Sequence, residues 1–118
     1  MQVLQKQQVA NQSGAASWDS GWIPVAAAGF RNVSMSTSWI AGASTAGTLS
    51  WEGTDDPAHG APVPLTANTY HGTGLTVGTG AGQTLIAFSG CPGYVRQKYT
   101  RSAGGVANQF NLFVTLTD

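Results

Sequence analysis

The sequence predicts an all-β fold, an antiparallel β-sandwich of jelly-roll-like type with an extended N-terminal arm. Sixteen glycines and many Ser, Thr and Asn residues favour turns and strands over helices. No window of more than ten residues shows a helical period of 3.6. Several short segments instead alternate apolar with small polar residues, as half-buried strands of a sandwich do. A chain of 118 residues suits one domain, placed at residues 16–118 behind an arm at residues 1–15.

The alternation is clearest in F-R-N-V-S-M-S-T-S-W-I, residues 30–40. Val33, Met35, Thr37 and Trp39 share one face there, with serines on the other. Further strand segments are predicted at residues 16–25, 48–53, 84–88, 94–100 and 110–116. Short connections predict two hairpins: residues 30–40 with 48–53, and residues 94–100 with 110–116.

Residues 1–14 are rich in Gln and carry only a weak apolar stripe of Val3, Leu4 and Val9. The stripe is too short for a stable isolated helix. Two interpretations stay open: a frayed tail, or an arm that becomes ordered against a neighbouring subunit.

Charged residues make up 8% of the chain, and the formal net charge is zero. Five basic residues do not give the electrostatic footprint of a nucleic-acid-binding protein. A chain with zero net charge tends to associate, so we expect an oligomer; a solvated monomer is the alternative. Neither a membrane-length apolar run nor a secretory signal is visible, so synthesis in a cytoplasm is expected. Cys91 is a single cysteine, expected to act as a small buried hydrophobe.

Glu52, Asp55 and Asp56 are the candidates for a chemical site. They could act as paired carboxylates in acid/base catalysis or hold calcium, but the spacing is not that of a known calcium loop. Asp before Pro also commonly starts a turn, which is the favoured interpretation. Glu52 is also expected to form a cross-strand ion pair with Arg96 or Lys98.

Neither a nucleophile motif nor a phosphate loop is present. The two histidines are too few, even with the cysteine, for a convincing zinc site. We therefore expect no enzymatic activity and no cofactor.

Four tryptophans are many for this length. Trp39 and Trp51 fall on the apolar faces of their strands, which predicts core packing. Trp18 and Trp22 have two possible interpretations: part of a subunit interface, or a platform that stacks on sugar rings.

The order of several segments resembles that of small virion proteins of tailed bacteriophages. The segments are S-G-W-I-P-V (20–25), S-M-S-T-S-W (34–39), G-T-L-S-W-E-G-T-D-D (47–56) and Y-V-R-Q-K-Y-T-R-S-A-G-G (94–105), followed by an apolar strand at 110–117. The resemblance covers residues 16–118. The chain departs from the pattern at Gln97, where an apolar residue is expected, and in a proline-rich insert at residues 57–64.

The resemblance implies an accessory structural protein: a capsid decoration or cement protein that bridges capsomers and stabilises the head. It implies homotrimers on the head surface of a virion assembled in the host cytoplasm, with the major capsid protein as partner. Under this hypothesis the interface residues are Val3, Leu4, Val9, Trp18 and Trp22. The alternative is a glycan- or receptor-binding module of a head or tail fibre, and a calcium-dependent hydrolase fragment is a third possibility.

Overall fold

Two antiparallel sheets pack face to face, which confirms the predicted all-β sandwich. The computed structural model describes residues 2–40, 46–73, 75–78, 80–103 and 109–118. Apart from one 3₁₀ turn at Ala26–Ala28, the regular elements in these ranges are strands. They are β1 Val3–Ser13, β2 Trp18–Asp19, β3 Ile23–Pro24, β4 Asn32–Trp39, β5 Ala46–Thr54, β6 Val63–Pro64, β7 Thr69–Gly72, β8 Thr76–Val77, β9 Gly82–Phe88, β10 Tyr94–Ala103 and β11 Gln109–Thr117.

The strands divide into a five-stranded sheet and a sheet built on two long strands. The first, sheet A, has the order β1-β11-β4-β9-β7. In the second, sheet B, β5 and β10 pair along their length; β2 and β3 lie beyond β10, and β6 and β8 lie beyond β5. Every pairing is antiparallel.

The core lies between the two sheets and follows the alternation read from the sequence. Along β4 and β11 every second residue is buried, and Leu49 and Trp51 of β5 are buried as predicted. Burial of these side chains is the main favourable contribution to folding. The buried apolar residues are Ile23, Val25, Val33, Met35, Trp39, Leu49, Trp51, Val77, Ile86, Phe88, Val95, Tyr99, Phe110, Leu112, Val114 and Leu116.

Both predicted hairpins are wrong. β4 pairs with β11 and β9, whereas β5 pairs with β10, so residues 30–40 and 48–53 lie in different sheets. Likewise, β10 and β11 lie in different sheets. Alternation fixes which side of a strand is apolar, but two such strands can bury that side across the core as well as side by side. The connecting residues 41–45 and 104–108 lie outside the described residues.

The N-terminal segment also differs from the expected tail or arm, because residues 3–13 form β1 at the edge of sheet A. The strand pairs with β11 of the same chain, with register shifts between Gln7 and Val9 and between Val9 and Gln12. Asn111 supports this irregular stretch: its Oδ1 accepts hydrogen bonds from Gln7 Nε2 and from the Asn11 backbone N–H, each 3.1 Å long. Asn11 has a φ of 51°, a conformation that asparagine tolerates better than most residues.

Gln97, the residue that departs from the resemblance, is fully buried between the sheets. Its Oε1 accepts hydrogen bonds from Thr37 Oγ1 at 2.9 Å and from Trp51 Nε1 at 3.0 Å. An indole N–H can only donate, so the tryptophan fixes which end of the Gln97 amide faces it. A polar contact between β4 of sheet A and β10 of sheet B therefore lies inside an otherwise apolar core.

Candidate functional site

The candidate site is the outer face of sheet A, meaning the side of the sheet that faces away from the core. Strand register sets its residues in rows across all five strands. One row runs through Gln7, Phe113, Ser36, Leu85 and His71. The face is therefore a continuous surface assembled from five separate strands.

A second row runs beside it through Gln5, Thr115, Ser34, Ala87 and Thr69. This second row is a surface of hydroxyl, amide and methyl groups, to which the first row adds the larger side chains of Phe113, Leu85 and His71.

No Asp, Glu, Lys or Arg occurs in β4, β7, β9 or β11. Lys6 is the one charged residue of β1, and it lies opposite the buried Val114, hence on the core side of the strand. The strand residues of the outer face consequently carry no formal charge while His71 is neutral. Two large apolar side chains stand on it: Phe113 is 49% exposed and Leu85 44% exposed.

Small side chains leave hollows on this face. One, of about 330 Å³, is lined by Asn32, Val33, Ser34, Asn68, Thr69, Ala87, Phe88, Ser89, Thr115 and Thr117. Another, of about 260 Å³, is lined by His71, Gly72, Gln83 and Leu85. Phe113 protrudes from the same face, so the surface has both raised and hollow parts.

The outer face of sheet B is different, because ionic contacts are concentrated there. Glu52 and Arg96 lie opposite each other on β5 and β10 and form the predicted ion pair. Lys98 Nζ lies 4.0 Å from the same carboxylate. The Arg96 guanidinium also lies over the Trp22 ring, 4.3 Å from its centroid. The outer face of sheet B therefore carries charged side chains, whereas the strand residues on the outer face of sheet A do not.

The carboxylates proposed for calcium have protein partners. Asp55 Oδ1 accepts the Gly93 N–H at 2.7 Å, and Asp56 Oδ1 accepts the N–H groups of Ala58 and His59 at 3.1 Å each. The Asp56 contacts are local turn contacts of the kind Asp commonly makes, whereas the Asp55 contact joins the residue after β5 to the residue before β10. Within the described residues, no group of three or more His, Cys, Asp or Glu residues is placed to hold a metal ion.

The five predicted interface residues do not form one patch of equal exposure. Val3 and Leu4 are 55% and 45% exposed. Val9 and Trp18 pack against the core of their own chain, and the Trp18 ring lies 5.2 Å from that of Phe110. Trp22 is half-buried under Arg96. A role in an interface stays a prediction for all five.

Phe113 and Leu85 are the outer-face residues that the sequence reasoning did not place in a site. The signal for Phe113 was present, because it occupies a polar-face position in the alternation of residues 110–116. Nothing comparable marks Leu85, which lies in a short, mostly apolar segment.

Buried Tyr99 and partly buried Cys91 give the fold a pH dependence. Burial raises the pKa of the Tyr99 phenol, an effect that nearby Arg101 partly offsets. Burial also raises the pKa of the Cys91 thiol, partly offset by a hydrogen bond with the Val33 backbone. Each group ionises more easily once the chain unfolds, so the stability that this difference contributes is present at neutral pH and is lost as pH rises.

We therefore expect the free energy of unfolding to fall above a pH of about 9 to 10, where unfolded Cys and Tyr ionise. Urea titrations at a series of pH values measure this decrease, and Tyr99→Phe is expected to lose less stability between neutral and alkaline pH than the wild type. Equal losses in the two proteins would remove Tyr99 as a cause.

Comparisons with protein-family models, with curated proteins and with solved structures found no match to this chain. Among the described residues, no helix is long and apolar enough to span a membrane.

Proposed function

We propose that this protein is a capsid decoration or cement protein of a tailed bacteriophage. In this proposal it binds the major capsid protein on the head surface through the outer face of sheet A, and its copies associate as homotrimers. The phage assignment and the trimer depend on the sequence resemblance. The choice of binding surface depends on the uncharged outer face, which is the observation that carries the proposal.

An uncharged face lowers the free-energy cost of desolvation on binding. Burying a charge at an interface costs several kcal/mol unless it is well paired, whereas hydroxyl and amide groups exchange water for protein hydrogen bonds at small net free-energy change. The outer face offers Phe113 and Leu85 as apolar contacts without a formal charge to desolvate. Interfaces commonly combine such anchors with a polar surround.

Repetition on a shell would strengthen a modest contact. If each oligomer engages several sites at once, the later contacts form at high effective concentration, and the overall affinity exceeds that of one contact. Bridging capsomers in this way would oppose their separation without any catalytic step.

The glycan-binding alternative required an exposed row of tryptophans. Trp39 and Trp51 are buried, and Trp18 packs against Tyr99 and Phe110. Trp22 carries a guanidinium over its ring. The tryptophans therefore favour the decoration proposal over sugar stacking.

A binding titration with capsids that lack this protein tests the proposal. We expect the purified wild type to co-sediment with the shells and saturate them, and Phe113→Asp to weaken binding at least about tenfold, because the interface would then bury an unpaired charge. Thr100→Asp is the matched control, since Thr100 is an exposed residue on the outer face of sheet B and the variant carries the same added charge.

Wild-type protein that does not bind the shells would contradict the proposed function. Equal binding by Phe113→Asp and the wild type, with loss of binding by Thr100→Asp, would keep the function but assign the contact to sheet B.

A further inference from the structure

β1 is the edge strand of sheet A, and no described strand pairs with its far side. Backbone hydrogen bonds show which residues face that free edge. The Ile40 N–H donates to the Gln109 carbonyl at 3.1 Å, so with the observed register the odd-numbered residues of β11 bond to β4. Successive residues of an inner strand bond alternately to its two neighbours, so the even-numbered residues of β11 bond to β1.

The register of β1 then divides its residues into two sets. Leu4 and Lys6, opposite Leu116 and Val114, direct their backbone N–H and C=O groups at β11. Val3, Gln5 and Gln7 direct theirs at the free edge. The Gln2 N–H, which donates to Asp118 Oδ1 at 3.0 Å, fits the same alternation.

The free edge is regular only between Val3 and Gln7, because the first register shift follows Gln7. This stretch is solvent-exposed throughout, and its two apolar side chains, Val3 and Leu4, are 55% and 45% exposed. An exposed, regular edge of this kind is a template for another strand.

We propose that the free edge of β1 pairs antiparallel with β1 of a second copy, about a two-fold axis at Gln5. This register places Gln5 opposite Gln5 and Val3 opposite Gln7. The backbone N–H and C=O groups that these three residues direct at the free edge then all bond to the other copy. A pair centred on Lys6 would set two like charges opposite each other, which is unfavourable. A pair centred on Leu4 would leave Gln7 without a described partner residue.

Side chains fit this register on the core side of the strand. Leu4 of each copy lies opposite Lys6 of the other, and the aliphatic stem of a lysine can cover an apolar neighbour while its ammonium stays in water. The pair therefore covers the exposed Leu4 and keeps the two ammonium groups apart. A second copy suits this edge because both halves of the contact are already present in one sequence.

Pairing would join two five-stranded sheets into one of ten strands and so extend the uncharged outer face across both copies. The contact spans about five residues a side, well below the roughly 1,600 Å² total of a standard stable interface. We therefore expect a weak dimer that forms at high local concentration. The inference does not depend on the proposed function, and it adds a two-fold contact to the three-fold association proposed there.

Disulfide trapping tests the register in a Cys91→Ala background. Cα atoms of a mutually bonded antiparallel pair lie about 5.5 Å apart, within the range that a disulfide bridges. We expect Gln5→Cys to form at least about ten times more covalent dimer under mild oxidation than Gln7→Cys, whose two copies would lie about 14 Å apart along the strands. Mixing Val3→Cys with Gln7→Cys is expected to give the mixed dimer.

Equal cross-linking of Gln5→Cys and Gln7→Cys would overturn the inference, because random collision alone would link the two variants equally. Preferential linking of Gln5→Cys to Gln7→Cys would overturn the Gln5-centred register.

Sedimentation equilibrium at millimolar concentration gives an independent measurement without oxidation. Gln5→Pro removes an N–H that faces the free edge and leaves the bonds to β11 in place. Gln5→Pro is expected to be monomeric at a concentration at which Gln5→Ala, which retains the N–H, still dimerises. A wild type that stays monomeric at that concentration, or a dimer unaffected by Gln5→Pro, would contradict the pairing.

Discussion

Replacing Phe110 by alanine is expected to lower the free energy of unfolding by about 3–5 kcal/mol. The side chain is fully buried and joins the aromatic residues of both sheets. Its ring centroid lies 4.7 Å from that of Tyr99, 5.2 Å from Trp18 and 6.1 Å from Trp39. The substitution would leave a cavity between these rings and remove contacts that hold β11 against β10.

Urea denaturation followed by tryptophan fluorescence measures this loss. Phe113→Ala is the matched control, because it removes the same side chain from the same strand at a position that is 49% exposed. The control is expected to cost under about 1 kcal/mol. Similar losses for the two variants would contradict the assignment of inner and outer faces on β11.

Replacing Gln97 by leucine is expected to lower the free energy of unfolding by about 1–3 kcal/mol, since the loss of two hydrogen bonds is partly offset by removal of Gln97 Nε2, a buried donor without a partner among the described residues. The variant would remove the acceptor for Thr37 Oγ1 and Trp51 Nε1, and each buried donor left unpaired costs about 1–3 kcal/mol. This loss would occur even though leucine is the more hydrophobic residue and of similar size.

A rescue experiment separates the hydrogen bonds from the packing at Gln97. Replacing all partners together, as Gln97→Leu with Thr37→Val and Trp51→Phe, removes the unpaired groups. The triple variant is expected to be more stable than the sum of the three single losses predicts, measured by urea denaturation. Strict additivity would show that the network contributes nothing beyond the separate side chains.

The sequence predicted strand faces well, because alternation at a period of two is a local property. Val33 to Trp39 and Phe110 to Leu116 are buried at every second position as expected. The same pattern could not give the strand partners, since an apolar side is buried equally by a neighbour across the core. For this reason both hairpins were wrong, whereas the Glu52–Arg96 pair, which relies on complementary charge across strands, was correct.

The N-terminal strand could not be predicted from the sequence for a different reason. β1 is rich in glutamine and has no regular alternation of apolar and polar residues, and its register shifts twice along β11. It is held by backbone pairing and by the Asn111 carboxamide, about a hundred residues away. Contacts of that kind depend on the tertiary fold and leave no local signal in residues 1–14.

The candidate site could be predicted from the sequence only in part. The polar sides of residues 30–40 and 110–116 were visible in the sequence, and so was the scarcity of charge. Joining them into one uncharged surface required the order of sheet A, which places β4 between β11 and β9, with β7 beyond β9. Gln97 was recognised as a departure from the resemblance, but Thr37 and Trp51 as its partners were not.

A cryo-electron microscopy reconstruction of shells saturated with the purified protein tests the central proposal most directly. We expect sandwich-shaped density on the outside of the head, with Phe113 and Leu85 of sheet A against the capsid protein and the Glu52–Arg96 pair facing solvent. Density with sheet B against the shell, or shells that carry none of the protein, would contradict it.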